Sequence, residues 1–158
     1  MPLATPAVEA DPEVPCAEAG VNRRQTEGFA VTAEKDHFIL REGVAYAGSH
    51  LLLDLWDASR LDDIQHIENA LRQCVEACAA TLLHIHLHHF SPSGGVSGVA
   101  VLAESHLSVH TWPERGYAAF DVFMCGDARP ENAIAVLKNA FYPRRVEVTE
   151  VLRGRAAP

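Results

Sequence analysis

The chain has four cysteines, Cys16, Cys74, Cys78 and Cys125, and no two of them form a CxxC pair. Neither a disulfide scaffold nor a CxxC motif organises it. Basic residues are few. Lys and Arg number 13 against 21 Asp and Glu, giving a formal charge of −8 and a pI of about 5.5. Nucleic acid is not an expected partner, because phosphate binding needs a basic face. A negative field does concentrate small cations, although the same charge also serves solubility. The opening stretch, MPLATPAVEADPEVP, has no basic n-region and no apolar h-region, so no secretory signal is expected. No apolar run approaches the roughly 20 residues of a membrane span. A cytoplasmic setting is therefore the default expectation. What remains is 158 residues, 48% hydrophobic. That suits one domain with one core.

Prolines at 2, 6, 12 and 15, set among alanines and acids, mark residues 1 to about 27 as a disordered leader. Residues 28–48 carry little signal beyond a short strand around His37–Leu40. Residues 1–45 are therefore expected to be a largely disordered N-terminal extension, with the domain over 46–158. HLLLDLW (50–56) reads as an apolar strand. Ile64, Ile67, Leu71, Val75 and Cys78 recur at helical steps and predict a helix within 61–80. TLLHIHLHHF (81–90), VSGVAVLA (96–103), HLSVHTW (106–112) and YAAFDVFM (117–124) read as strands, with SPSGG (91–95) as turn chemistry. Pro130 suits the first turn of a helix ending near Phe141, and Pro143 stops it. Val146, Val148 and Val151 mark a last strand.

The predicted order is β-α-β-β-β-β-α-β. Four consecutive strands with short links imply an antiparallel sheet. Two amphipathic helices cover only one face of it, giving an α+β two-layer sandwich.

Several residues invite chemistry. His84, His86 and His88 share one strand face by the period of two. Three histidines can bind zinc, but side chains on one strand run parallel rather than converge, so a polar strand face is the preferred reading and no metal site is assigned. Cys74 and Cys78, four apart on a helix, read as small buried hydrophobes. Cys125 ends a strand and opens into Gly126–Asp127, where a thiol can face a cleft. His110 sits five residues after Ser105, inside a strand, yet Ser105 has no GxSxG elbow around it. Trp112 and Glu114 flank Pro113, where an aromatic beside a carboxylate can clamp a ligand or simply pack a turn. Residue spacing alone thus gives an α+β domain with a dense cluster between Ser97 and Cys125.

That cluster, GVSGVAVLAESHLSVHTWPERGYAAFDVFMCGD (95–127), resembles the signature of the prokaryotic S-adenosylmethionine decarboxylases. The resemblance extends through GSHLLLDLWDAS (48–59), LDDIQHIENAL (61–71) and ATLLHIHLHHFSP (80–92), and so over roughly 46–155. It implies a proenzyme that cuts itself between Glu104 and Ser105 and turns Ser105 into a pyruvoyl group, which forms a Schiff base with the substrate amine. It implies His110 as the processing base, Ser97 as its helper and Cys125 as the proton donor. Phe90 and Trp112 match aromatics suited to adenine and a sulfonium, and Glu114 matches a carboxylate for ribose hydroxyls. Family members are dimers with sites built from both protomers, so Trp112 or Phe90 is expected to act in trans. The SPSGGVSG loop is one residue longer than the SPxGVSG form of many members. Arginine or ornithine as substrate, and a non-catalytic partner subunit, stand as alternatives.

Overall fold

The structure, a computed structural model, describes residues 37–156. These belong to one compact unit. The expected leader, and most of the expected extension, lie outside the described residues. The elements run β1 (Ile39–Arg41), β2 (Val44–Trp56), α1 (Ile64–Ala77), β3 (Leu82–His89), β4 (Val96–Leu102), β5 (Ser105–Trp112), β6 (Tyr117–Met124), α2 (Asn132–Phe141) and β7 (Arg145–Arg155). A single turn of 3-10 helix, Pro113–Arg115, joins β5 to β6.

All strand pairings are antiparallel. β2 sits between β7 and β6, then β5, β4 and β3 follow in order, while β1 pairs with the start of β2. The expected order of elements is present, preceded by β1, which overlaps the short strand expected around His37–Leu40. β2 begins at Val44, six residues before the apolar run starts. VAYAGS has no strand pattern of its own. It becomes strand because β1 pairs from Val44 and β7 pairs from Tyr46.

Alternation builds the core. Leu51, Leu53 and Leu55 of β2, Leu107 and Val109 of β5, and Phe120, Val122 and Met124 of β6 all face one side. They meet Ile67, Leu71, Cys74 and Val75 of α1 and Ala133, Leu137 and Phe141 of α2. Each large side chain buried this way contributes roughly 1.5–3 kcal/mol of transfer free energy. α1 starts cleanly because the Asp63 carboxylate accepts the His66 N–H at 3.0 Å. The opposite sheet face carries no helix among the described residues, as two helices on one layer require. It presents His84, His86, His88, His110 and Trp112, all exposed.

Candidate active site

Glu104 lies in the two-residue turn between β4 and β5, since Leu102 pairs with Ser105. Ser105 has φ 145°, a backbone conformation that L-residues seldom adopt. Such a residue stores on the order of 1–3 kcal/mol of strain and persists only where its surroundings hold it. Here they do. The Glu104 carbonyl oxygen accepts the Cys125 N–H at 3.1 Å. The Glu104 carboxylate accepts the Thr81 N–H at 2.8 Å. One peptide is thus gripped by its carbonyl and by the side chain that precedes the strained serine. An N–H on a carbonyl oxygen favours negative charge arriving there, so the arrangement suits attack on the Glu104 carbonyl carbon.

Cys125 is half-buried. Burial, and then the nearby Glu104 carboxylate, push its thiol above the ordinary range. It therefore keeps its proton at neutral pH, as a proton donor must.

The remaining candidates gather elsewhere. Ser97 and His110 are directly opposed across β4 and β5. Their Oγ and Nδ1 lie 2.7 Å apart. Phe90, Ser97, His110, Trp112 and Glu114 line one cleft of about 210 Å³. Its rim is the 91–95 loop, closed on itself by Phe90 N–H to the Gly95 carbonyl and Gly94 N–H to the Phe90 carbonyl, both at 2.8 Å. A Cβ on Gly95 would stand 2.8 Å from the Thr111 carbonyl oxygen, so only glycine lets the loop come this close. Beneath it the buried Thr111 hydroxyl donates to the Leu61 carbonyl at 2.7 Å and accepts the Val96 N–H at 2.8 Å.

The fold brings together two groups and keeps them apart within one chain. Ser105 and His110 are the first and sixth residues of β5. At about 3.4 Å per residue that is roughly 17 Å. An odd separation also sends them to opposite faces. A base works at about 3 Å from the proton it takes. The cleft itself is half open, with Phe90 45% and Trp112 42% exposed. It is also smaller than the roughly 300 Å³ where ligand pockets usually begin.

His84, His86 and His88 all lie exposed on β3. No group of three or more His, Cys, Asp or Glu is arranged to hold a metal ion among the described residues. Cys74 and Cys78 are buried in the core. Burial raises both thiols, that of Cys78 to about 11.

Sequence reasoning missed a polar network on the open face. The Tyr117 hydroxyl donates to Asp54 Oδ1. The Ser108 hydroxyl donates to Asp121 at 2.9 Å, with His50 3.4 Å from the same carboxylate. Burial first, then the bond to Asp54, pushes the Tyr117 phenol up to about 12. Alternation along β2 and β6 was a usable signal for these residues. The backbone donors of Thr81 and Cys125 had none.

Against known proteins, the profile of the S-adenosylmethionine decarboxylase family matches residues 49–154. The chain is 50% identical over 108 residues to an S-adenosylmethionine decarboxylase proenzyme of Thermomicrobium roseum, covering 68% of this chain and 93% of that protein. It is 51% identical over 110 residues to the proenzyme of that name from Methanococcus vannielii, covering 68% and 89%. The fold is similar to the crystal structure of the adenosylmethionine decarboxylase of Aquifex aeolicus. The TM-score is 0.65 at 32% identity, covering 71% of this chain and 94% of that one.

Proposed function

The chain belongs to the S-adenosylmethionine decarboxylase family, and from that premise we propose that it builds its catalytic centre by cutting its own Glu104–Ser105 bond. It is a carboxy-lyase, made as a proenzyme, that converts S-adenosylmethionine to the decarboxylated aminopropyl donor for spermidine synthesis. One observation carries the choice of bond: the Cys125 N–H on the Glu104 carbonyl, beside a serine at φ 145°.

In this reading the Ser105 hydroxyl attacks the Glu104 carbonyl carbon. Charge growing on that oxygen is met by the Cys125 N–H. Expulsion of the Ser105 nitrogen turns the amide into an ester and releases the strained backbone. A base then takes the Ser105 α-proton and the Glu104 carboxylate leaves, freeing residues 1–104. Water replaces the nitrogen of the resulting dehydroalanine, ammonia departs, and a pyruvoyl group heads residues 105–158. The residues present fit that product, because Ser105 begins a strand beside the Cys125 turn. The group supplies an electron sink for the pair left when carbon dioxide departs.

The chain's own residues do the rest. Cys125 delivers a proton to the substrate carbon, since its raised pKa keeps the thiol loaded. Phe90 and Trp112 stack on the base and face the sulfonium, and Glu114 accepts the ribose hydroxyls. Ser97 orients His110, which serves the processing step. The separation of Ser105 from His110 along β5 supports a reading in which a second copy brings His110, Phe90, Trp112 and Glu114 to Ser105. In this reading the working unit is a dimer, acting on a small molecule in the cytoplasm and not on nucleic acid. No described helix is long and apolar enough to cross a membrane.

Intact-mass measurement tests the central claim. The purified chain should give two fragments split after Glu104, and Ser105→Ala a single uncut species. A wild-type chain that stays whole on prolonged incubation would sink this reading.

A further inference from the structure

The family match begins at residue 49, yet residues ahead of it are built into the catalytic end of the sheet. β1 turns into β2 through Glu42 and Gly43, at φ 50° and 78°. Ile39 pairs with Tyr46 and plugs this hairpin to the body, 8% exposed. Just upstream, the His37 carbonyl accepts the Gly126 N–H at 2.7 Å. Gly126 sits at φ 63° in the turn that follows β6. The preceding N–H in that turn is the one from Cys125 to the Glu104 carbonyl. Two successive donors thus point to two different acceptors, one the bond to be cut and the other the upstream segment.

We propose that the His37–Arg41 segment is a clamp that positions the Cys125–Gly126 turn, holding the Cys125 N–H on the Glu104 carbonyl during self-cleavage. The proposal rests on the reading that the chain cuts itself there. The physics is one of restraint. A glycine at positive φ is free to leave that conformation. A short hydrogen bond to its N–H fixes the peptide that joins it to Cys125, and with it the aim of the neighbouring donor. His37 acts through its main chain, so its ring is not needed. It is a positioning residue, as is Ile39, which anchors the strand that carries it.

The test uses the full chain, synthesised cell-free and sampled over time for the first-order rate of cleavage. Ile39→Asp unseats β1 and should slow cleavage about tenfold, less than the roughly 100-fold loss of a whole oxyanion donor. Because Ile39→Asp can also compromise folding, a milder pair accompanies it. A Cβ on Gly43 meets nothing within 4 Å, so substitution there acts through φ alone. Gly43→Val should slow cleavage, since β-branched residues resist positive φ, while Gly43→Asn should stay near wild type. Alkylation of the buried Cys74 monitors global unfolding in each variant. Slowing without Cys74 exposure supports the clamp. Wild-type rates in both Ile39→Asp and Gly43→Val, or slowing that tracks Cys74 exposure, overturns it. A wild-type chain that never cuts removes the underlying reading as well.

Discussion

If Ser105 is served by His110 of a second copy, two inactive chains should rescue each other. Take Ser105→Ala and His110→Ala. Each alone should remain uncut, the first for want of a nucleophile and the second for want of a base. Co-expressed in equal amounts, about half of the resulting two-fold dimers are mixed. Within a mixed dimer, one centre combines intact Ser105 with intact His110, and the other has neither. One centre of two is complete, so about a quarter of all centres should be cut. All cut chains should carry the His110→Ala substitution, which mass spectrometry reads directly from the fragment containing residues 105–158. The cis alternative predicts none, because no single chain then holds both residues. It would also need roughly 17 Å of extended strand to be bridged. A mixture that stays whole while wild type cuts, with dimers confirmed by size, would refute service in trans. Normal cutting by His110→Ala alone would remove His110 from the processing step.

Three further outcomes follow from the geometry. Cys125→Ala keeps the backbone N–H on Glu104, so the chain should still cut itself. Its kcat, read by carbon dioxide release, should fall by about 100-fold or more, with KM little changed. Glu104→Gln in the uncut Ser105→Ala chain removes the charge that helps raise the Cys125 thiol. The thiol pKa then falls, so alkylation of Cys125 should set in at lower pH; an unmoved profile would mean the carboxylate does not reach it. Thr111→Val leaves the Val96 N–H and the Leu61 carbonyl unpaired in the core. Urea unfolding should show a loss of about 1–3 kcal/mol, and KM for S-adenosylmethionine should rise as the floor of the Phe90–Glu114 cleft loosens.

Much of the fold was legible. The alternation in β3 to β6 and the three- and four-residue steps in α1 gave the layers, because periodicity reports directly which face is buried. A short strand near β1 was expected around His37–Leu40, but the early start of β2 was not legible. VAYAGS becomes strand only by pairing with β1 and β7. Of the candidate site, the run from Ser97 to Cys125 stood out as one dense cluster. The polar network of Asp54, Tyr117, Ser108 and Asp121 did not, because its members come from separate strands whose register no local pattern reveals.

By itself, then, the amino-acid order determined the elements apart from the first part of β2, the covered and open faces of the sheet, and the family-like run around Glu104–Ser105. That Ser105 and His110 share one strand, and so stand far apart in a single chain, came with the structure. Only the tertiary structure decided which atoms meet across strands. It placed the Cys125 N–H on a carbonyl 21 residues earlier, and the His37 carbonyl on Gly126. The reason is physical: pairing register and turn geometry set those meetings, and backbone groups are the same at every residue, so no side-chain code announces where they will be used.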